Sequence, residues 1–188
     1  MLEQYAKKDS RFKYVILGEN KGISGNTNAA MDMATGDYIV LADHDDKLTP
    51  NALYECAKTV YRNIRECDCF YSDEDKLDMD GGALFDPHFK PDFNIDLLCS
   101  VNYICHLFVV SHDLAAQVGG FRQEYDGAQD YDFIFPLYGE GEGDSPYPEG
   151  AVSLALPQGF DMRATRRASC THLMRVRARS WIIINASV

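Results

Sequence analysis

The chain has 188 residues, which is enough for one domain with a buried core. Its net charge of −11 argues against nucleic acid as a partner. It has no apolar run of the roughly 20 residues that a membrane-spanning helix needs and no N-terminal pattern typical of a signal peptide, so the sequence predicts a cytoplasmic protein. In that compartment we expect its six cysteines to be reduced.

The first predicted elements alternate between helices and strands. Residues 2–8 are typical of the end of a helix, and the aromatic and β-branched residues FKYVIL at 12–17 predict a buried strand. A helix is predicted over 24–34, with Gly36 just beyond its end. The continuous apolar run YIVLA at 38–42 then predicts a central parallel strand that is covered on both faces.

The later elements continue this alternation. They are a helix with Thr49 as N-cap and Pro50 as first residue that runs to about Glu66, a strand at 69–72, a turn at 79–83, a strand at 107–111, a helix at 112–118 and a glycine loop at 119–121. Together the elements predict an α/β fold with a largely parallel sheet. Such sheets bind ligands beyond the carboxyl ends of their strands.

Acidic residues follow the predicted central strand directly. Asp43 and Asp45 lie two apart, so on an extended segment their carboxylates face the same side. Hard oxygen ligands of this kind suit Mg²⁺ or Mn²⁺, and such an ion would hold a diphosphate and neutralise its charge as it leaves. In the alternative interpretation the acids cap the next helix and are solvated. His44 between them either binds the ion or points away.

Several motifs, in this order along the chain, resemble the family 2 glycosyltransferases. The motifs are NKGISGNTNAA at 20–30, ATGDYI at 34–39 and LADHDD at 41–46. Two more, YSDEDK at 71–76 and FKPD at 89–92, are similar to the rhamnosyltransferase-like branch, whose members assemble cell-surface polysaccharides. The similarity covers about residues 5 to 135, and it is far more specific than a lone pair of aspartates.

The resemblance implies a GT-A fold, in which a Rossmann-like, mostly parallel sheet is flanked by helices. It implies an inverting, metal-dependent transfer of a sugar from a nucleoside-diphosphate sugar to an acceptor hydroxyl, with Mn²⁺ or Mg²⁺ as the cofactor. The acceptor would be a glycan or a lipid-linked glycan. A lipid-linked acceptor would bring the protein into peripheral association with the inner face of the membrane.

The resemblance also implies roles for single residues. Asp130, in the motif QDYD at 129–132, matches the general base, which must lie within hydrogen-bond reach of the attacking hydroxyl. Alternatively, Asp130 is a helix N-cap. The residues matched to nucleotide-sugar binding are Asn20, Gly22, Asn28, Asp43, Asp45, Gly119 and Gly120. The residues matched to the metal are Asp45 and Asp46.

Four further residues are candidates for binding the acceptor: Asp73, Glu74, Asp75 and His106. The three acids follow the predicted strand at 69–72, where they either orient the acceptor or form a surface turn. His106 either contacts the sugar substrates or is a buried histidine with satisfied hydrogen bonds.

The sequence departs from the family pattern at both ends. It begins after the family's first strand and the loop that grips the base, so we expect a domain that is incomplete there. After Phe135 the similarity stops. However, codons can be chosen for residues 136–156 that encode the family's Tyr-His-Trp-Arg motif when the reading frame is shifted by one base. We therefore predict a partial GT-A domain at 1–135 and a frameshifted, largely irregular tail at 136–188.

Three functions remain open on the sequence alone. The first is a metal-dependent glycosyltransferase of polysaccharide or glycan biosynthesis. The second is a catalytically inactive remnant that still binds nucleotide and metal, which the missing ends favour. The third is a phosphohydrolase that uses Asp43 and Asp45 on Mg²⁺, although such enzymes normally carry an aspartate on a first strand that is lacking here.

Overall fold

The computed structural model describes residues 2–43, 46–62, 68–78, 83–105 and 107–137, together with two strands at 153–155 and 182–185. The helices are α1 (Leu2–Lys8), α2 (Gly22–Met31), α3 (Ala52–Arg62), α4 (Ile95–Leu98), α5 (His112–Val118) and α6 (Gln129–Ile134). The strands are β1 (Tyr38–Ala42), β2 (Cys69–Tyr71), β3 (Glu74–Leu77), β4 (Leu84–His88), β5 (Phe108–Ser111), β6 (Ser153–Ala155) and β7 (Ile182–Asn185). Short 3-10 turns lie at Gln123–Tyr125 and Phe135–Leu137.

Five strands form the main sheet, in the order β6-β2-β5-β1-β7. Strand β5 is antiparallel to both β1 and β2, whereas β7 is parallel to β1 and β6 is parallel to β2. Four strands therefore point one way and β5 alone is reversed. The prediction of an α/β fold with a largely parallel sheet is confirmed, and the carboxyl ends of β1 and β2 share one edge.

The apolar runs at β1, β2 and β5 are explained by burial on both faces of the sheet. Alternate residues contribute to two separate clusters, with Ile39, Phe108 and Tyr71 in one and Val40, Val109 and Phe70 in the other. Helices α5 and α6 add buried residues to the first cluster, and α3 adds Cys56 to the second. Since side chains alternate across a strand, a strand covered on both faces must be apolar throughout.

The second sheet is a small hairpin of β3 and β4 that lies mostly at the surface. Glu74 pairs with His88 and Leu77 with Leu84, with an irregularity in register between them. The backbone N–H of Asp78 donates to Ala83 O at 3.0 Å, which closes the hairpin. The turn predicted at 79–83 lies, but for Ala83, outside the described residues.

The predicted buried strand at 12–17 is wrong. The segment is irregular, and Ile16 is 83% exposed. A strand needs a neighbour for its backbone hydrogen bonds, and no described residue pairs with this segment. The edge of β1 that faces away from β5 is instead paired with β7. Phe12 packs against Tyr5 of α1, with the ring centroids 5.9 Å apart.

Helix boundaries differ from the predictions by a few residues. Helix α2 spans Gly22–Met31 rather than 24–34, and α3 begins at Ala52 rather than at Pro50. Thr49 is not a side-chain N-cap, because its buried Oγ1 has no hydrogen-bond partner, while its carbonyl accepts from Ala52 N at 3.0 Å. The predicted end of this helix at Glu66 falls outside the described residues.

The tail predicted to be irregular contributes β6 and β7, and its other residues beyond 137 lie outside the described part of the chain. The strands at 69–72 and 107–111 and the helix at 112–118 are confirmed to within a residue. Within the described residues, the helices are too short or too polar to span a bilayer.

Candidate active site

The acids after β1 lie at the carboxyl edge of the sheet. Asp43 follows the last strand residue directly and is half-buried, and Asp46 is exposed. The N–H of Asp46 donates to Asp43 O at 3.3 Å, so the chain turns sharply between them. His44 and Asp45 lie outside the described residues.

This turn fits a hard divalent ion by the chemistry of its donors, since carboxylate oxygens are the ligands that Mg²⁺ and Mn²⁺ prefer. Asp43 and Asp46 are the two acids of the motif whose placement is described. The described ranges contain no group of three or more His, Cys, Asp or Glu side chains that are placed to hold a metal ion together. The sequence also assigns Asp45 to metal and diphosphate, and that residue lies outside the described part of the chain.

Two distant segments of the predicted nucleotide-sugar site are clamped together. Asn28 Nδ2 donates to Phe121 O at 2.8 Å, and Asn28 Oδ1 accepts from Phe121 N at 2.8 Å. Gly120 beside it has φ +82°, and a Cβ there would come within 2.7 Å of Asn28 Oδ1. Glycine is therefore required at this position on two grounds, the left-handed backbone and the close approach.

A second contact joins the same two segments at the start of α2. Asp126 Oδ1 accepts from Ser24 N at 3.1 Å, and Ser24 Oγ donates to Arg122 O at 3.2 Å. Lys21, at the N-cap position of α2, makes no side-chain capping bond, so Asp126 caps this helix from 102 residues away. Hydrogen bonds from Ser24 lower the pKa of Asp126.

The glycines and asparagine of this site shape its backbone. Gly22 has φ +73°, and a Cβ there would overlap Asp126 Oδ2. Asn20 Oδ1 accepts from Gly22 N at 3.0 Å and from Asn26 Nδ2 at 3.2 Å, which fixes the turn into α2. Gly119, with φ +86°, ends α5 in the left-handed conformation. Five of the seven residues predicted to bind nucleotide-sugar thus belong to one connected unit.

Asp130 is the second residue of α6 and is half-buried. Its Oδ2 accepts from Asn102 Nδ2 at 3.1 Å, and its Oδ1 accepts from Tyr131 N at 2.8 Å. The N-cap position of α6 is held by Ala128, so the alternative of Asp130 as the N-cap is wrong. The carboxylate is therefore oriented from two sides.

The acids after β2 lie at the same edge as Asp43. Asp73, Glu74 and Asp75 are half-buried, and the last two belong to β3 rather than to a turn. Asp73 Oδ1 accepts from Lys90 N at 2.8 Å, and Glu74 Oε1 lies 2.9 Å from His88 Nδ1. His106, the fourth acceptor candidate, lies outside the described residues.

Sequence reasoning gave no role to Lys90, whose side chain is only 1% exposed. Its Nζ donates to Ile104 O at 3.0 Å and lies 3.5 Å from Glu74 Oε2. Burial lowers the pKa of Lys90, and the charge of Glu74 partly opposes that effect. The available signal was its place in the motif at 89–92, where a lysine stands between an aromatic residue and a proline.

Cys105 was also overlooked as a member of the site. Burial raises the pKa of the Cys105 thiol, the Asp130 carboxylate raises it further, and the Lys90 ammonium acts in the opposite direction. The predicted base and a buried cation therefore both influence the pKa of the Cys105 thiol.

The comparison with protein families bears directly on this arrangement. Residues 1–114 match the model of glycosyl transferase family 2. The chain belongs to glycosyltransferase family 2. Membership confirms the resemblance to family 2 seen in the motifs, and with it the GT-A fold class and a place in a family of transferases.

The curated relatives that this chain matches are much longer than the chain itself. The chain is 42% identical over 71% of its length to the uncharacterized protein y4gI of Sinorhizobium fredii, and 33% identical over 93% of its length to the O-antigen biosynthesis protein RfbC of Myxococcus xanthus. It is 28% identical over 63% of its length to a chondroitin synthase of Pasteurella multocida. It spans 14%, 14% and 12% of these three proteins. The match to RfbC covers 93% of the chain, so it includes residues beyond 135.

Proposed function

We propose that this domain transfers a sugar from a nucleoside-diphosphate sugar to an acceptor hydroxyl in the biosynthesis of a cell-surface polysaccharide or glycan. The observation that carries the proposal is the clamp between Asn28 and Phe121, which joins two motifs of the family that lie 93 residues apart in the chain. Relatives named for O-antigen biosynthesis and chondroitin synthesis support the polymer class.

On the donor side, Asn20, Gly22 and Asn28 bind the nucleotide-sugar from the start of α2 and the turn before it. Gly119 and Gly120 bind it from the loop after α5. Asp43 binds on the nucleotide side, and Asp45 acts on the metal and the diphosphate. A Mn²⁺ or Mg²⁺ ion held by Asp45 and Asp46 would neutralise the charge that builds on the diphosphate as it leaves. The loop glycines bring backbone rather than side chains against the donor, which allows a close approach.

On the acceptor side, Asp130 is the general base. Its carboxylate takes the proton from the acceptor hydroxyl while that oxygen bonds to the anomeric carbon and the bond from this carbon to the diphosphate oxygen breaks. Attack from the face opposite the leaving group inverts the anomeric centre. The two hydrogen bonds to Asp130 keep the carboxylate in one orientation, which preserves its reach to the hydroxyl.

Asp73, Glu74, Asp75 and His106 hold the acceptor in this proposal. The acceptor is a glycan or a lipid-linked glycan, and carboxylates suit the binding of sugar hydroxyls, since they accept hydrogen bonds from them. The place of action is the cytoplasm, with peripheral association at the inner face of the membrane where the acceptor is lipid-linked. Cell fractionation with and without a carbonate wash tests this location.

The test of the donor site is a thermal shift with UDP, dTDP or GDP, each with and without Mn²⁺. A ligand that binds only the folded state raises its melting temperature. Asp43→Asn and Asp45→Ala should abolish a rise that needs both nucleotide and metal. Asp37→Asn is the matched control, because Asp37 is an exposed aspartate just before β1, at the end of the strand away from Asp43. A rise that survives both site variants, or no rise with any pair, would contradict the proposed donor site.

The test of the reaction is release of nucleoside diphosphate with glycan acceptors in the presence of the donor that binds. Asp130→Asn should keep the nucleotide-dependent thermal shift and reduce turnover by about 10²- to 10⁴-fold, the usual contribution of a general base. A chain that binds nucleotide and metal but shows no turnover before mutation is the inactive remnant instead. Turnover unchanged in Asp130→Asn would remove Asp130 from the mechanism.

The division of the chain at residue 135 stays a prediction. Resequencing the DNA across codon 135 tests it, since the frameshift requires one extra base that a correct read lacks. Natural genes that carry the same tail after the same domain would contradict the frameshift. The tail would then be a natural part of the domain.

A further inference from the structure

We propose that Lys90 is a positioning residue for the Asp130 carboxylate. It acts through a relay of hydrogen bonds whose intermediate members are Ile104 and Asn102. The inference rests on the proposed function, in which Asp130 is the base. It adds a residue that touches neither donor nor acceptor but determines where the base points.

The relay connects the ammonium to the carboxylate through the covalent backbone of Ile104. Lys90 Nζ donates to Ile104 O at 3.0 Å, and Ile104 N donates to Asn102 Oδ1 at 3.3 Å. The other end of the same amide, Asn102 Nδ2, donates to Asp130 Oδ2 at 3.1 Å. Because Ile104 holds the amide oxygen, the amide nitrogen is directed at the carboxylate. If the backbone at Ile104 shifted, Asn102 would lose the contact that selects this orientation.

The burial of Lys90 indicates that its charge has a purpose beyond packing. Taking an ammonium out of water costs several kcal/mol, and an apolar residue of similar volume would often be at least as stable. The charge is retained here, with Glu74 Oε2 at 3.5 Å from Nζ. A buried cation that is bonded to a backbone carbonyl fixes that backbone more firmly than a neutral donor would.

Lys90 also connects the base to the acceptor side. Its backbone N–H is held by Asp73 at 2.8 Å and its ammonium by Glu74, both among the acids proposed to bind the acceptor. An acceptor bound at Asp73 and Glu74 would therefore contact the same unit that orients the base.

The experiment compares Lys90→Met with Lys76→Met. The matched control removes a lysine of β3 that is exposed and pairs with Asp86 of β4. The first readout is hydrogen exchange at the Ile104 amide and the Asn102 carboxamide, measured by NMR. We expect both sites to exchange about tenfold faster or more in Lys90→Met, the mark of a local opening, with no change in Lys76→Met and none at the amides of β1.

The second readout is kinetic. In a chain that transfers sugar, Lys90→Met should reduce kcat by about tenfold or more and leave the KM for the donor within about twofold, because the donor loop is held separately. Asn102→Ala should give the same loss, and the double variant should be no worse than either single one, since both interrupt one relay. Additive losses, or a KM change without a kcat change, would overturn the relay.

Two further controls keep the inference decidable. If Lys90→Met does not fold, Lys90→Gln replaces it, because glutamine retains a donor for Ile104 O. Because a neutral donor holds the carbonyl less firmly than a cation, Lys90→Gln should exchange faster at Ile104 than the unmodified chain and lose part of kcat, and unchanged exchange in a folded Lys90→Gln would contradict the proposal. If the unmodified chain transfers no sugar, the proposed function fails, whereas the exchange measurement still decides whether Lys90 orders Ile104 and Asn102.

Discussion

The clamp between α2 and the loop after α5 should stabilise the fold measurably. Asn28→Ala removes two bonds of 2.8 Å to the backbone of Phe121. Each contributes about 0.5–1.5 kcal/mol net, so together they give about 1–3 kcal/mol. Phe121 is only 6% exposed, so its N–H and C=O are left without ready access to water, which places the loss in the upper half of that range.

The assay is urea unfolding followed by circular dichroism, with Asn26→Ala as the matched control. Asn26 lies in the same helix, and its side chain bonds only to Lys21 and Asn20 in the exposed loop. Both variants gain the same helix propensity from alanine, so that effect cancels in the comparison. We expect Asn28→Ala to lose about 2–3 kcal/mol and Asn26→Ala less than about 1 kcal/mol, with unchanged m-values.

A second variant separates the hydrogen bonds from the packing. Gly120→Ala places a Cβ 2.7 Å from Asn28 Oδ1 in a backbone with φ +82°. In the Asn28→Ala background the overlap disappears and only the backbone strain remains. Gly120→Ala should therefore cost about 1 kcal/mol less in that background than in the unmodified chain. Equal losses for Asn28→Ala and Asn26→Ala, or full additivity with Gly120→Ala, would refute the clamp.

Three other predictions follow from single sites. Gly22→Ala should cost at least about 1–2 kcal/mol because of its φ of +73° and the overlap with Asp126, whereas Gly18→Ala, with no atom within 4 Å, should be nearly neutral in the same urea assay. The pKa of Asp126 lies below its ordinary value of 3.8, so its contribution to stability is complete above that pH and is lost as the pH falls through the folded value. Asp126→Asn should flatten the acid side of the stability profile, and an unchanged profile would contradict this. Burial raises the pKa of Cys56 to about 12, so at pH 8 iodoacetamide should label this buried thiol far more slowly than the exposed Cys99, and peptide mass spectrometry measures the two rates.

The elements with strong local signals were predictable from the sequence. The apolar run of β1 has the bounds that the structure gives it, because a strand buried on both faces leaves no polar position in the pattern. Helix α5 was equally clear, since Ser111 caps it through a bond to Leu114 N and Gly119 ends it in the left-handed conformation. Both signals are local, so neighbouring residues are sufficient to read them.

Features that depend on distant partners could not be predicted in this way. The segment at 12–17 has the composition of a strand, but its outcome depends on whether a neighbouring strand is available. Thr49 and Pro50 are a good start signal for a helix, yet α3 begins only at Ala52. Local propensity is a weak prior that tertiary context overrides, and here the context is set by residues far away in the chain.

The candidate site likewise has residues that the sequence identifies and contacts that it does not reveal. Motif resemblance found Asn28, Gly120 and Asp130, but no sequence pattern indicates that Asn28 contacts Phe121 or that Asn102 contacts Asp130. Lys90 lies in the motif at 89–92, but the sequence indicates no role for it, because a buried lysine and an exposed one look the same in a sequence. Burial and hydrogen-bond geometry are properties of the fold, and only the structure supplies them.

The segment from Phe121 to Asp132 links the two halves of the site. At its start Phe121 and Asp126 are bonded to α2 on the donor side, and at its end Asp130 is bonded to Asn102 on the acceptor side. Arg122 Nε donates to Asp132 Oδ2 at 2.9 Å, which ties the two ends of the segment to each other.

This arrangement gives each end of the segment its own anchor. Loosening the donor anchor with Asn28→Ala should weaken nucleotide binding, whereas interrupting the relay at Lys90 should reduce kcat. Asn28 bonds to Phe121 and Lys90 to Ile104, on different parts of the site, so the free-energy effects of the two changes should add. Strong coupling between them would mean that the segment moves as one rigid body, in which case binding of the donor would itself reposition the base.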